Sequence, residues 1–284
     1  MISDPLTNTI YLSGKLPVFF PKISNNLGLK LKSYGYKVNF LPNTNDIWAR
    51  DYMPIQVSKD KFVEYRYDPD YLQGDSEDNE SREIKTYPDI VCDSLGLKTI
   101  KTDIILDGGN VVKSENAIIL TDKVVWENKR HYSEKQLIKK LHHLFEVEKV
   151  VLIPWDDICE YGHADGMLRF INHEKVLISG FYETADDEFK TWILESLEKA
   201  KLNWEWLRVS EKETEENIAY INFLQTKDFI IIPSLNKQED NEAIKIISKY
   251  YPEYASPNRI KKVDMRDIVK FKGALNCITW SILE

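Results

Sequence analysis

The chain has 284 residues, a formal net charge of −8 and a pI near 5.3. Its 43% hydrophobic and 30% charged residues exclude a mainly disordered chain. The acidic balance leaves no electrostatic footprint for nucleic acid and favours cationic partners, and no apolar run approaches the ~18 residues of a membrane span.

Residues 1–5 carry neither the basic nor the apolar region of a secretion signal, so a soluble cytoplasmic protein is expected. Strand-like runs of β-branched and aromatic residues fall at 10–12, 37–41, 55–57, 62–65, 103–106, 117–121, 149–153, 167–171, 175–178, 219–224 and 228–232. The run 168–171 leads into Asn172-His173-Glu174, a hairpin turn with an asparagine to supply the turn chemistry. Helical patterns occupy 133–145, 186–201 and 240–250, with acidic or hydroxyl residues at their starts and Pro252 after the last. Hairpin, helix and strand therefore alternate several times, which fits neither a plain parallel sheet nor a sandwich. No composition break divides the chain, and residues 1–284 are read as one domain. The polar run 73–81 reads as a mobile acidic surface loop, with a lid over a cationic ligand as the alternative.

No dinucleotide fingerprint, P-loop, zincin helix or hydrolase elbow is present. Cys159 and His163 could share a helix face as metal ligands but lack further partners, so no metal and no cofactor is expected. Cys92, Cys159 and Cys277 are too scattered for a disulfide framework. Four polar clusters stand between apolar runs: 46–55 (DIWARDYMPI), 105–112 (ILDGGNVV), 161–170 (YGHADGMLRF) and 273–280 (GALNCITW). Each has a bland reading. Arg50-Asp51 could be a local ion pair, Asp107-Gly108-Gly109-Asn110 a turn that uses glycine at positive φ, His163 a core histidine and Cys277 an inert buried thiol. A Cys, a His and several Asp that lie far apart in sequence form a nucleophilic site only if the fold gathers them.

In their order these four clusters resemble the agmatine deiminase and bacterial peptidylarginine deiminase family, within the guanidino-modifying pentein superfamily. The resemblance runs over nearly the whole chain and includes Tyr220-Ile221-Asn222-Phe223. It implies an α/β fold, a five-bladed pseudo-symmetric propeller of repeated ββαβ units. It implies hydrolysis of a guanidino group to a ureido group and ammonia, with Cys277 as nucleophile, His163 as general acid and base, and Asp107 orienting the histidine. Asp51 and Asp165 take the place of the guanidinium-holding carboxylates, with Trp48, Asn222 and Asn276 as further substrate-binding positions.

The chemistry suits these residue types. A guanidinium is planar and always protonated, and paired carboxylates accept its forked donors. A thiolate supplies the nucleophile, and a histidine hands the proton to the leaving amine. The implied partner is a small cationic guanidino substrate: agmatine, an arginine derivative or a peptidyl arginine. The alternatives are an amidinotransferase, another guanidine-modifying enzyme, or a propeller that binds such a ligand without chemistry. Relatives that hydrolyse agmatine carry His where Asn276 stands, Gln in the region of Trp280, and more often Glu at 107. Trp280 either offers a flat face for stacking or packs into the core and reshapes the pocket through it, and these departures lead to the expectation that agmatine is a poor substrate.

Overall fold

The computed structural model describes residues 1–73, 83–156, 161–184 and 186–284, so all of the polar run 73–81 except Gln73, and Cys159, lie outside the described residues. Among the described residues, five three-stranded sheets repeat one plan. Two strands pair antiparallel, a helix follows, and a third strand lies parallel to the second. A parallel neighbour requires a crossover, and the helix supplies it. Ile55–Ser58 and Lys61–Arg66 are followed by the helix Pro88–Leu95 and the strand Ile100–Ile105. The same order recurs in Val112–Lys113, Ala117–Thr121, Glu134–Phe145 and Lys149–Ile153. It recurs again in Leu168–Asn172, Lys175–Ser179, Asp187–Lys199 and Asn203–Leu207. Leu224–Gln225, Ile230–Ser234, Glu239–Tyr250 and Ile260–Asp264 complete a fourth such unit.

The remaining blade joins the two ends of the chain. Thr9–Ser13 is its central strand, and Asn39–Leu41 lies parallel to it across the helix Pro21–Ser33. The C-terminal strand Thr279–Ile282 pairs antiparallel on the other side, with Leu12 opposite Thr279. The five ββαβ blades are those of the expected α/β propeller, the pentein fold.

Local signals explain much of this. Ser133 caps its helix reciprocally with Gln136, and Asp186 accepts from the Glu188 and Phe189 amides at the start of Asp187–Lys199. Leu137, Leu141 and Phe145 repeat at four-residue spacing and are buried. The Glu174 amide donates to Asn172 Oδ1 at 2.9 Å, the turn expected there. The strand read at 219–224 is a correction. The segment is a 3-10 helix, Glu215–Ile221, and only Leu224–Gln225 is strand. Tyr220, Ile221, Phe223 and Leu224 are all buried, and a short run that is apolar on every side carries no period to separate helix from strand. The helix Pro21–Ser33 also escaped the sequence reading, because Gly28 and its lysines obscure the buried Ile23, Leu27 and Leu31. Among the described residues no helix is long and apolar enough to cross a membrane.

Trp280 takes the core position rather than the stacking one. It lies in the core beside Tyr11 and Phe62, with ring centroids 5.2 and 6.1 Å away, and its indole N–H donates to Pro54 O at 2.8 Å. Side chains alternate faces along a strand, and this one faces the interior. Its ring is therefore not a stacking surface for substrate. Trp280→Ala should destabilise the protein by about 3–5 kcal/mol, read as a lowered urea midpoint. A midpoint within error of wild type would contradict the core assignment.

Candidate active site

The repeat decides where the polar clusters go. In each blade the first strand is preceded by a short turn, and each sequence cluster occupies one of these turns. Arg50 and Asp51 sit in Ala49–Tyr52, ahead of Ile55–Ser58. Asp107 opens the turn Gly108–Asn110, and His163 opens Ala164–Gly166, which also holds Asp165. Asn222 ends Glu215–Ile221, and Asn276 and Cys277 lead into Thr279–Ile282. Hydrogen bonds tie neighbouring turns together. The Arg50 amide donates to Cys277 O at 3.0 Å, and the Asn276 amide to Asn222 O at 3.1 Å. The Ala164 amide donates to Asn110 Oδ1 at 3.3 Å.

Gly108 and Gly109 are required here by crowding. Neither has the positive φ expected from turn chemistry. A Cβ on Gly108 would lie 2.0 Å from Arg50 O, and one on Gly109 would lie 2.6 Å from both Asp51 Oδ1 and His163 Nδ1. This close approach explains how the shorter Asp107 reaches its partner. Its Oδ2 lies 2.8 Å from His163 Nε2, and the same oxygen accepts from the Tyr71 hydroxyl at 2.8 Å. On the other side of the ring, His163 Nδ1 lies 3.7 Å from Asp51 Oδ1.

Cys277 is buried, with Sγ 3.3 Å from Asn222 Oδ1 and 3.9 Å from Asp165 Oδ2. Asn222 Oδ1 also accepts the Asn276 and Cys277 amides at 3.0 and 3.2 Å. Asn276 Nδ2 donates to Asp165 Oδ2 at 2.6 Å, and its Oδ1 accepts from Arg50 Nη2 at 3.1 Å. Both asparagines therefore spend their polar atoms on the protein. Arg50 turns away from Asp51 toward Asn276 and toward Asp4, 3.9 Å distant, so the local ion pair is not formed.

Burial dominates the electrostatics. It opposes charge on His163, but Asp51, Asp107 and Asp165 outweigh it and raise the imidazole to about 10. Burial raises Asp51 well above the ordinary carboxylate range; His163 counteracts this, and Asp107 and Asp165 add to it. Burial, reinforced by Asp165 and Asp51, pushes the Cys277 thiol up as well. Asp51 Oδ1 and Asp107 Oδ1 are buried acceptors that receive no hydrogen bond among the described residues. The site thus presents unused acceptors and surplus negative charge, the complement of a cation with several N–H donors.

Two cavities meet at the thiol. One of about 210 Å³ is walled by Trp48, Asp51, Tyr71, His163 and Cys277. Another of about 800 Å³ is lined by His163, Asp165 and Cys277 at its base and by Tyr182 and Ile218 further out. The Trp48 ring packs against Gly273, where a Cβ would lie 2.2 Å from it. Sequence reasoning missed Asp46, Tyr67 and Tyr71 in the smaller cavity. Asp46 had a signal, since it opens the first polar cluster. Its carboxylate is raised to about 6 by burial, against the bonds it accepts from Thr86 and the Trp48 amide. Tyr71 had none, because only the fold brings it to Asp107.

Five ββαβ blades whose turns gather a thiol, an imidazole and several carboxylates define a pentein of the guanidine-modifying class. The chain belongs to the Porphyromonas-type peptidyl-arginine deiminase family, whose model matches residues 22–282. It is 27% identical to an agmatine deiminase of Medicago truncatula over 292 residues, covering 84% of this chain and 76% of that one. An agmatine deiminase of Ectopseudomonas mendocina (strain ymp) is 24% identical over 226 residues, covering 66% and 60% of the two chains. The solved C. jejuni agmatine deiminase with substrate bound superposes with a TM-score of 0.74 at 19% identity, covering 100% of this chain and 96% of that one.

The raised imidazole ties stability to pH. A folded-state value near 10, against 6.5 ordinarily, means that the His163 contribution is complete below about pH 6.5. It is lost as pH climbs through 10. The stability gap between wild type and His163→Gln should therefore be widest near pH 6 and shrink steadily toward pH 10 in urea titrations. A gap that stays constant or widens over this range would contradict a charged His163.

Proposed function

We propose that this chain hydrolyses the guanidino group of a small cationic compound to a ureido group and ammonia, through a covalent intermediate on Cys277. The observation that carries the reading is Asp51 Oδ1, a buried acceptor that receives no hydrogen bond, in the wall of a cavity it shares with the Cys277 thiol and the His163 imidazole. Guanidino chemistry is also what the names of the relatives describe, for those proteins.

Asp51 and Asp165 receive the guanidinium N–H groups, and Trp48 offers a ring at the edge of the pocket. The arriving positive charge offsets the carboxylates that hold the thiol protonated, so Cys277 releases its proton to solvent on substrate binding while His163 keeps its own. The thiolate adds to the guanidino carbon. His163, held by Asp107, donates a proton to the departing nitrogen, and ammonia leaves an S-linked amidinium on Cys277. Water enters through the larger cavity. His163, now neutral, takes its proton as the oxygen adds, and collapse breaks the C–S bond to release the ureido product and regenerate the thiol. Asn222 fixes the nucleophile loop through the Cys277 amide.

Agmatine, free arginine and a peptidyl arginine are the substrates to compare by ammonia release. With Trp280 in the core, stacking of its ring on substrate no longer counts against agmatine, which is compared on equal terms with the others. At least one compound should reach a kcat/KM of about 10⁴ M⁻¹s⁻¹ or more; no release from any of them would overturn the reading. Cys277→Ser should lower turnover at least about 1,000-fold. Cys92→Ala should leave it within about twofold, because the Cys92 thiol is buried and raised to about 12. Asp51→Asn removes one charged partner of the cation, a loss of about 2–5 kcal/mol, and should appear in calorimetric binding of the preferred substrate. Unchanged affinity would contradict the role assigned to Asp51.

A further inference from the structure

We infer that Asn276 is a positioning residue that passes the hold of Arg50 on to Asp165, fixing the carboxylate that faces the guanidinium. This rests on the reading of the site as a guanidino-binding centre. The amide is engaged at both ends, 3.1 Å from Arg50 Nη2 and 2.6 Å from Asp165 Oδ2. Its orientation follows from chemistry as well as from coordinates. A guanidinium can only donate, so the end facing Arg50 is Oδ1, and the end facing Asp165 is the donor Nδ2. A carboxyl group that accepts from this donor has one oxygen committed to the protein and the other left for a ligand.

Arg50 is itself anchored from behind. Its Nε points at Asn276 O, 3.5 Å away, and its amide donates to Cys277 O at 3.0 Å. Its Nη1 faces Asp4, a buried carboxylate that also meets Lys113 at 3.5 Å and Arg169 at 2.6 Å. The Arg50 side chain is thus held on the side of the turns away from Asp51, in a cavity of about 370 Å³ that Asp4, Lys113, Arg169, Asp165 and Asn276 also line. Asp165 lines both that cavity and the 800 Å³ cavity that reaches Cys277. Positioning therefore runs from the ion cluster through Arg50 and Asn276 to Asp165.

An amide in this place works at any pH. An imidazole would not. Neutral, it can accept from Arg50 and donate to Asp165 as the amide does. Protonated, it turns an N–H toward the Arg50 guanidinium, and the link breaks.

The test uses methylguanidine as the probe, with its affinity measured by calorimetry on wild type, Asn276→Leu and Asn276→His. Ammonia release from the same probe and from agmatine is followed in parallel. Asn276→Leu should bind about 10- to 100-fold more weakly, the effect of losing a hydrogen bond to a charged group. Asn276→His should bind nearly as wild type while its imidazole is neutral and lose affinity as falling pH protonates it, an acid limb that wild type lacks. Should the leucine variant fail to fold, the two ends of the histidine pH series, taken on one folded protein, still decide the matter. Equal affinity of wild type and Asn276→Leu, or one pH profile shared by wild type and Asn276→His, would overturn the inference and leave the guanidino reading intact. No binding by wild type would overturn the inference together with that reading. Binding without ammonia release from either compound would count against hydrolysis while the inference stands.

Discussion

A buried imidazolium held between two carboxylates sets the terms for the rest of the site. Asp107 fixes one nitrogen of His163 at 2.8 Å, and Asp51 faces the other at 3.7 Å. Charges removed from water are costly unless matched, and this cluster carries more negative groups than His163 alone can match. The imbalance appears as raised Asp51 and Cys277 ionisations and as acceptors left without donors. On the function proposed above, a guanidinium would offset this imbalance, because it brings positive charge and several donors to the carboxylates beside the thiol.

The propeller makes such a cluster possible. Each blade delivers one turn ahead of its first strand, so residues as distant in sequence as Arg50 and Cys277 are joined by a backbone hydrogen bond. The pairing of Thr279–Ile282 with Thr9–Ser13 brings the Cys277 loop into place, so the strand that closes the first blade also completes the cluster. Glycine at 108 and 109 lets the turns approach to van der Waals distance, and this permits an aspartate at 107 to reach the histidine.

Much of this could be read from sequence, and the reasons for the remainder are specific. The hairpin at Asn172 and the helix starts at Ser133 and Asp186 obey local rules, because their hydrogen bonds close within a few residues. The four polar clusters stood out as charged residues between buried strands, and their order carried the family resemblance. The segment Glu215–Ile221 was misread because its burial comes from all sides, which leaves no period to detect. Gly108 and Gly109 were assigned to the wrong cause, since crowding by Arg50, Asp51 and His163 is a tertiary fact that no local pattern encodes. Tyr71 was invisible for the same reason. The asparagines at 222 and 276 were found as positions, but their hydrogen-bond partners came only with the fold.

The central claim is that Cys277 makes a covalent bond to the guanidino carbon. The most direct test is intact-protein and peptide mass spectrometry of wild type stopped with acid during turnover of its best substrate. The account predicts a transient species heavier by the substrate less one ammonia, located on the peptide containing Cys277. Ammonia release with no such species at any quench time, or an adduct carried on Cys92 instead, would contradict it.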